Sequence, residues 1–165
     1  MKETLDLVDE DDNIIGKIER SDCLKQAAIH RSVMIIVTNP KGEYLIQKRS
    51  GKKQLYPGMY EIGIGETLKS GETYEEGALR EINEEAGIDC ILLEYLFHIN
   101  FRSEHNNCNR RVYRCTYDGK MRLQKEEVET GKFVTIAEAK KMMAHGRLSP
   151  SAIHVFTEYL RREEK

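Results

Sequence analysis

The segment from Thr73 to Gly87 constrains the fold most, because both ends of a helix can be recognised in it. Thr73 followed by Glu76 three residues later is the capping-box pattern, and Gly87 is a typical C-terminal cap. Between these ends an apolar stripe repeats at helical spacing, and its members are Ala78, Leu79, Ile82 and Ala86. The segment therefore predicts one amphipathic helix that docks on a sheet.

The same helix carries three glutamates on a face beside the apolar stripe. Glu81, Glu84 and Glu85 are three and four residues apart, so their like charges repel and destabilise the helix slightly. Divalent cations among the carboxylates would relieve this repulsion, and Mg²⁺ prefers such hard oxygen ligands. Arg80 lies four residues from both Glu84 and Glu76 and can bridge their carboxylates. Taken alone, three glutamates on a helix are more often a solvated face.

The wider pattern of charged residues makes this helix more specific. Glu72 lies eight residues before Arg80, and the sequence from Arg80 to Ile88 is REINEEAGI. This stretch resembles the signature of the Nudix hydrolases, Gly-x5-Glu-x7-Arg-Glu-U-x-Glu-Glu-x-Gly-U, where U is apolar. Six charged or glycine positions match, which would happen by chance on the order of 10⁻⁷ times per start position. One position departs, because Glu66 stands where the signature has its first glycine, directly after Gly65.

The resemblance implies an α/β fold, the Nudix α/β/α sandwich with a mixed sheet. It also implies a metal-dependent hydrolase of a diphosphate bond in a nucleoside-diphosphate-linked or related small molecule. Roughly one to three Mg²⁺ or Mn²⁺ ions would polarise the diphosphate and help to generate hydroxide. By position, Glu81 and Glu85 are the expected metal ligands, with Glu84 a further ligand or the base. Glu72 is expected to orient the site, and Arg80 to fix the glutamates.

Further candidates for the site lie outside the signature. An acidic segment is an alternative source of the base, with the candidates Glu126, Glu127 and Glu129, although a solvated loop explains each of them more simply. Phosphates are expected to meet cations, and the candidates are Arg49, Lys52 and Lys53. The aromatic candidates for stacking a base or lining a pocket are Tyr56, Tyr60 and Phe101, although aromatics near strands are more often core. From these groups we select Arg49, Lys53, Tyr56 and Glu127 as candidate substrate-binding residues.

The resemblance extends to a branch related to isopentenyl-diphosphate isomerases. It is carried by a predicted N-terminal hairpin at 4–19 and by the stretches HRSV at 30–33, QKRS at 47–50 and YPGMY at 56–60. Isomerisation of a prenyl diphosphate is therefore an alternative function. The isomerases have a protonating cysteine where this chain has Gly65, and a metal-binding histidine where it has Thr67.

The isomerases also have two histidines upstream of these positions. Only His30 is matched, and the other position is Cys23. We therefore expect hydrolysis rather than isomerisation, and we expect His30 to be a structural residue at a strand start. A weakly active Nudix domain used for binding or regulation is a third possibility, and Glu66 is the feature that supports it.

Length and composition fit one Nudix domain over residues 1–165, with the hairpin as an extension. The chain has 165 residues and is 39% hydrophobic and 33% charged. Its net charge of −2, with both signs interspersed, argues against a protein that mainly holds a nucleic-acid backbone. Four cysteines lack C-x-x-C spacing and are predicted to be free thiols in a reducing cytosol. With no apolar signal core and no membrane-spanning stretch, a cytoplasmic location is expected, and a homodimer is expected by analogy alone.

The rest of the chain is predicted to form several strands and about two further helices. The apolar run at 30–38 predicts a strand buried on both faces, and the segment 43–49 is expected to pair back against it. Further strands are predicted at 60–64, at 91–101 with a bend near its middle, at 110–118 and at the end of 126–134. Loops are predicted at 50–59 and 102–109, a helical turn or loop at 21–28, and helices at 136–144 and from Ser149, with Ser149 or Ser151 as N-cap.

Overall fold

The computed structural model describes residues 2–89 and 92–165, and the predicted α/β sandwich is confirmed. In chain order the elements are β1 (Thr4–Val8), β2 (Ile14–Glu19), α1 (Arg20–Lys25), β3 (Ile29–Thr38), β4 (Tyr44–Arg49), β5 (Tyr60–Ile62), β6 (Ile64–Thr67), α2 (Tyr74–Ala86), β7 (Glu94–Phe101), β8 (Asn107–Thr116), β9 (Val128–Val134), α3 (Ile136–Ala144) and α4 (Pro150–Glu163). None of the helices in these two ranges is long and apolar enough to cross a membrane.

The strands form a small antiparallel pair and a larger mixed sheet. β1 and β2 pair with each other, which confirms the predicted N-terminal hairpin. In the larger sheet β3 runs parallel to β8 and antiparallel to β6, while β4 lies between β5 and β9. The expected pairing of β4 back onto β3 is limited to Thr38 opposite Tyr44, because the two strands diverge after their turn and bond to other partners.

Strand β3 shows why helices cover both faces of this sheet. Its side chains are buried along nearly its whole length, as its continuous apolar sequence predicts. Val33 and Ile35 belong to the core that includes α2, whereas Met34 and Ile36 belong to the core that includes α3 and α4. Alternate residues of a strand point to opposite faces, so one apolar run supplies both cores.

Helix α2 has the predicted caps and most of the predicted buried stripe. Both hydrogen bonds of the capping box are present, and Gly87 ends the helix with a φ of 65°. Ala78, Ile82 and Ala86 are buried, but the prediction for Leu79 is wrong, because its side chain is 37% exposed. Leu79 follows Ala78 by one residue, which turns it about 100° around the helix and away from the sheet. Tyr74, in the first turn of the helix, is buried in the same core as Ala78, Ile82 and Ala86.

Several predicted boundaries differ from the observed ones. The strand predicted at 60–64 is divided at Gly63, and the strand predicted at 110–118 is β8, which begins at Asn107 inside the predicted loop. Asn107 pairs with Ile29 and its side chain bonds the carbonyl of Ala27, so contacts with distant residues extend the strand. The predicted bend in β7 is confirmed by a register shift between Tyr95 and Phe97. The predicted start of that strand at residue 91 lies outside the described residues.

The predicted helical start at Ser149 and the predicted free thiols are also observed. Ser149 is the N-cap of α4 and accepts from the backbone N–H of Ala152 at 3.1 Å. Cys23, Cys108 and Cys115 are free and buried, while Cys90 lies outside the described residues.

The interruption at Gly63 generates a prediction about stability. Gly63 has a φ of 76°, and a Cβ there would overlap the backbone carbonyl of Ile35. We expect Gly63→Ala to lower the free energy of unfolding by about 3 kcal/mol or more. Gly42 has the same φ of 76° but open space around it, so Gly42→Ala should cost only about 1 kcal/mol. Urea denaturation measures both, and equal losses would show that the contact with Ile35 does not matter.

Candidate active site

Arg80 is the centre of an ionic cluster on helix α2. Its Nε and Nη2 donate to the two oxygens of Glu72, at 2.5 and 2.9 Å. Its Nη1 contacts Glu81 and donates to Glu84 at 3.2 Å. Burial alone would raise the pKa of Glu72, but the hydrogen bonds and charge of Arg80, together with the backbone N–H and charge of Lys69, hold that pKa below its ordinary value. The expected contact with Glu76 is wrong, because that side chain bonds the N–H of Thr73 in the capping box.

The three glutamates at the end of α2 have different surroundings. Burial raises the pKa of Glu81 to about 7, the charge of Glu66 adds to the rise, and Arg80 opposes it. Burial also raises the pKa of Glu85 well above its ordinary value, and the charges of Glu66 and Glu81 contribute. By contrast, the side chain of Glu84 is 50% exposed. Carboxyl groups are therefore crowded at Glu81 and Glu85, where little water can screen a charge, and both hold a proton more tightly than an exposed glutamate does.

Glu66 occupies the position where the signature has glycine, and its carboxylate joins this cluster. It accepts from Nη2 of Arg20 at 2.6 Å, from Nζ of Lys53 at 3.5 Å and from the backbone N–H of Thr67 at 2.8 Å. Burial would raise its pKa, but Arg20 and Lys53 outweigh burial and lower the pKa of Glu66 to about 2. Glu66 is therefore ionised and adds a fixed negative charge beside Glu81 and Glu85.

A cavity of about 310 Å³ lies next to these carboxylates. The four candidate substrate-binding residues all line it, and they are Arg49, Lys53, Tyr56 and Glu127. Lys52 and Glu126 also line it, whereas Glu129 pairs with Lys48 at 3.5 Å. A narrower cavity reaches Glu85 and shares Arg49, Lys53, Glu61, Gly65 and Glu127 with the larger one. The structure therefore brings the predicted cations Arg49 and Lys53 together with Glu127 and with Glu85 of the Nudix signature.

Two aromatic candidates lie elsewhere. Tyr60 lies under the guanidinium of Arg147, which is 5.0 Å from the ring centroid. Phe101 is buried and packs edge-on against His154, with ring centroids 5.4 Å apart. Neither lines the cavity. Phe101 is therefore a core aromatic rather than a residue that lines the pocket.

His30 is a buried residue of the cavity wall, in agreement with the structural role expected for it. It is 4% exposed, and burial lowers its pKa to about 4. Its Nδ1 lies 3.4 Å from Sγ of Cys23, and burial raises the pKa of that thiol to about 11. This part of the wall is therefore uncharged at neutral pH.

Sequence reasoning missed polar residues that the sheet places beside the site. Gln47 and Glu61 are register partners on β4 and β5, and Gln47 donates to Glu85 at 3.1 Å. Glu61 accepts from Ser149 at 2.7 Å and from Arg49 at 3.4 Å. One oxygen of each, Oε1 of Gln47 and Oε2 of Glu61, is buried without a partner. The sequence signal that could have identified them is a polar side chain within a strand, at a position where alternation places it on the inner face.

The donor atoms of the site suit a divalent cation, although they do not converge on one. Among the described residues, no three His, Cys, Asp or Glu side chains meet closely enough to bind a metal ion. Arg80 and Lys53 instead contact the carboxylates. The set is nevertheless made of oxygen atoms, which Mg²⁺ and Mn²⁺ prefer. Glu66 disfavours a negative charge on Glu81 and on Glu85, and Glu81 disfavours one on Glu85. A cation among these carboxylates would relieve this repulsion.

Comparison with known proteins agrees with this geometry. A family model described as NUDIX domain matches residues 28–154. This chain belongs to the Nudix family. An uncharacterized Nudix hydrolase of Pseudomonas aeruginosa is 33% identical over 128 residues, which are 77% of this chain and 75% of that protein. Nudix hydrolase YfcD of Escherichia coli K12, also uncharacterized, is 27% identical over 99% of this chain and 89% of its own length. The isomerase-related branch stays a prediction.

Solved structures show the same Nudix fold. DR0079 from Deinococcus radiodurans superposes with a TM-score of 0.81 and 27% identity, over 94% of this chain and 98% of that chain. The NUDIX domain of Shewanella oneidensis NrtR, solved as a complex with ADP-ribose, has a TM-score of 0.66 and 15% identity over 88% and 99% of the two chains. The protein is thus a Nudix hydrolase, and the family supports a pyrophosphohydrolase function.

The raised pKa of Glu81 generates a prediction for the metal-free protein. Its pKa is 4.5 ordinarily and about 7 here, so the folded protein binds more protons than the unfolded one between these values. The free energy of unfolding should therefore fall as pH rises from about 4.5 to about 7. Glu81→Gln stays neutral and should remove a part of this fall on the order of 3 kcal/mol.

Urea denaturation in EDTA across this pH range tests the prediction. The EDTA keeps divalent cations from binding the carboxylates. Parallel pH curves for the wild type and for Glu81→Gln would contradict it, because the two proteins differ in the group that is expected to titrate.

Proposed function

We propose that this Nudix hydrolase cleaves a diphosphate bond in a nucleoside-diphosphate-linked or related small molecule, with Mg²⁺ or Mn²⁺ as cofactor. The observation that carries the proposal is the position of the buried glutamates beside a cavity whose wall contains cations. Glu85, Arg49 and Lys53 line the same narrow cavity. A diphosphate there would have carboxylates on one side, for metal ions, and cationic side chains within reach.

Each residue of the site then has a role in the reaction. Glu81 and Glu85, with Glu84, would hold the metal, which supplies charge stabilisation on the diphosphate and lowers the pKa of water. Arg80 holds Glu72, Glu81 and Glu84 in place through its hydrogen bonds.

The cavity residues act on the substrate. Arg49 and Lys53 bind and orient the phosphates, and Tyr56 contacts the organic group. Glu84 or Glu127 accepts the proton of the attacking water as its oxygen bonds to phosphorus and the bond to the leaving phosphate breaks.

The other two functions fit less well. At Gly65 there is no side chain to donate a proton, and Thr67 replaces a metal-binding histidine of the isomerases. A pure binding module would not need Arg80 to order three glutamates. ADP-ribose, which is bound in the NrtR structure, is a nucleoside diphosphate linked to a second group, and that is the class proposed here. The single domain, the cytoplasmic location and the homodimer stay predictions.

Replacing a buried glutamate tests the metal site. Glu85→Gln replaces a carboxylate proposed to hold the metal with an amide, and we expect kcat/KM to fall by about 100-fold or more with Mg²⁺. Glu75→Gln is the matched control, because Glu75 is an exposed glutamate of the first turn of the same helix, and its activity should change little. The assay measures phosphate-containing products from nucleotide sugars, dinucleotides, nucleoside triphosphates and prenyl diphosphates.

The outcomes of this assay separate the three functions. Turnover that survives Glu85→Gln unchanged would rule out the metal site. Isomerised prenyl diphosphate without hydrolysis would favour the isomerase, and no turnover by the wild type would favour the binding module.

Replacing a cavity lysine tests how the phosphates are bound. Lys53 has a half-buried environment in the cavity wall, whereas Lys41 is exposed in a turn. We expect Lys53→Met to raise KM about tenfold or more, since a hydrogen bond to a charged phosphate is lost. Lys41→Met should leave KM unchanged. Steady-state kinetics with the best substrate of the panel decides, and equal KM values for the two variants would exclude Lys53 as a phosphate ligand.

A further inference from the structure

We infer that residues 2–27 form a wall of the substrate cavity that selects compact substrates, and that the ion pair between Arg20 and Glu66 fastens this wall. The family model begins at residue 28, so this segment is an addition to the part of the chain that the family shares. The inference rests on the proposed function, because it takes the substrate to be the occupant of the cavity.

Hydrogen bonds dock the segment on the loop that leads into α2. The backbone N–H of Ser70 donates to the carbonyl of Thr4 at 2.8 Å, and its hydroxyl donates to Asp6 at 2.7 Å. The N–H of Gly71 donates to the second oxygen of Asp6 at 3.1 Å. Leu5 is 1% exposed, so apolar packing accompanies these bonds. The segment is thus attached to the start of the Nudix signature itself.

The ion pair adds a contact that the family signature cannot make. Arg20 reaches Glu66 at 2.6 Å and Glu3 at 2.8 Å, with side chains that are 35%, 16% and 27% exposed. A glycine at position 66 would have no side chain to accept from Arg20. The departure from the signature therefore gives Arg20 of the added segment a partner inside the site.

The same segment limits the size of the cavity. Four of its residues line the space, and they are Leu5, Arg20, Cys23 and Leu24. The resulting volume of about 310 Å³ lies at the small end of the range for ligand pockets, roughly 300–1,000 Å³. A nucleoside diphosphate or a diphosphate with one compact organic group suits this space better than a dinucleotide does. Removing side chains from this wall should therefore admit larger groups.

A ratio of kinetic constants distinguishes a selective wall from a merely stabilising one. We would measure kcat/KM for nucleoside diphosphates of each common base and for the matching dinucleoside diphosphates, with Mg²⁺. The wild type should prefer the compact member of a pair by about tenfold or more. Leu24→Ala and Arg20→Met should shift this ratio toward the larger member by about tenfold, whereas Leu24→Phe should shift it the other way.

Two variants act as controls. Ile15 lies in the same segment but is 60% exposed and does not line the cavity, so Ile15→Ala should leave the ratio unchanged. Arg20→Lys keeps the charge and should retain most of the wild-type ratio. Amide hydrogen exchange in β1 gives a second readout, because Arg20→Met should speed exchange there more than Ile15→Ala does.

The failures of the two proposals are distinguishable. Wild-type turnover with the same ratio in Leu24→Ala, Leu24→Phe and Arg20→Met would overturn the selective wall and leave the hydrolase intact. A wild type that prefers the larger member of each pair would overturn it as well. No turnover of any substrate with Mg²⁺ or Mn²⁺ would overturn the proposed hydrolase and, with it, this inference.

Discussion

The burial of like-charged carboxylates at one end of helix α2 is the constraint on which the rest of this structure depends. Burial raises the pKa of both Glu81 and Glu85, the charge of Glu66 raises both further, and the charge of Glu81 adds to the rise at Glu85. Such groups are unfavourable in a folded protein unless cations or hydrogen-bond donors lie beside them. Arg80 supplies donors from the helix itself, and Lys53 supplies charge from the loop after β4. The site is thus an energetically unfavourable arrangement of carboxyl groups that the surrounding fold must hold in place.

The fold holds this arrangement by fixing both ends of α2 and packing its inner face on the central strand. Capping hydrogen bonds define where the helix begins and ends, and Ile82 and Ala78 pack in the same core as Ile35 of β3. The interruption at Gly63 then lets one strand pair with β4 and the next with β3. Glu61 and Gly65 therefore come to the same cavity from two different strands, close to Glu85. A rigid sheet and a doubly capped helix thus determine the positions of the charges.

Local sequence patterns predicted the parts of the fold that depend on neighbours in the chain. The helix caps, the apolar run of β3 and the glutamates of the Nudix signature each involve residues within a few helical turns or within one strand. Two errors, at Leu79 and Glu76, lie within helix α2 itself, and the others concern contacts between distant residues. Nothing near Gly63 shows that its backbone approaches Ile35, and nothing near Asn107 shows that β3 will extend β8 to it. The cavity residues from the N-terminal segment were missed for the same reason, since Arg20 meets its partner 46 residues later.

Glu66 shows how one substitution in a shared signature acts on two parts of a site at once. Its ionised carboxylate fastens Arg20, which favours an ordered N-terminal segment. The same charge raises the pKa of Glu81 and Glu85, which disfavours the metal-free cluster. A glycine at this position would relieve the repulsion and lose the anchor. The two effects have opposite signs for stability, but both favour a protein whose site is completed by ligands: the repulsion favours a cation among the carboxylates, and the anchor keeps a bounded cavity beside it.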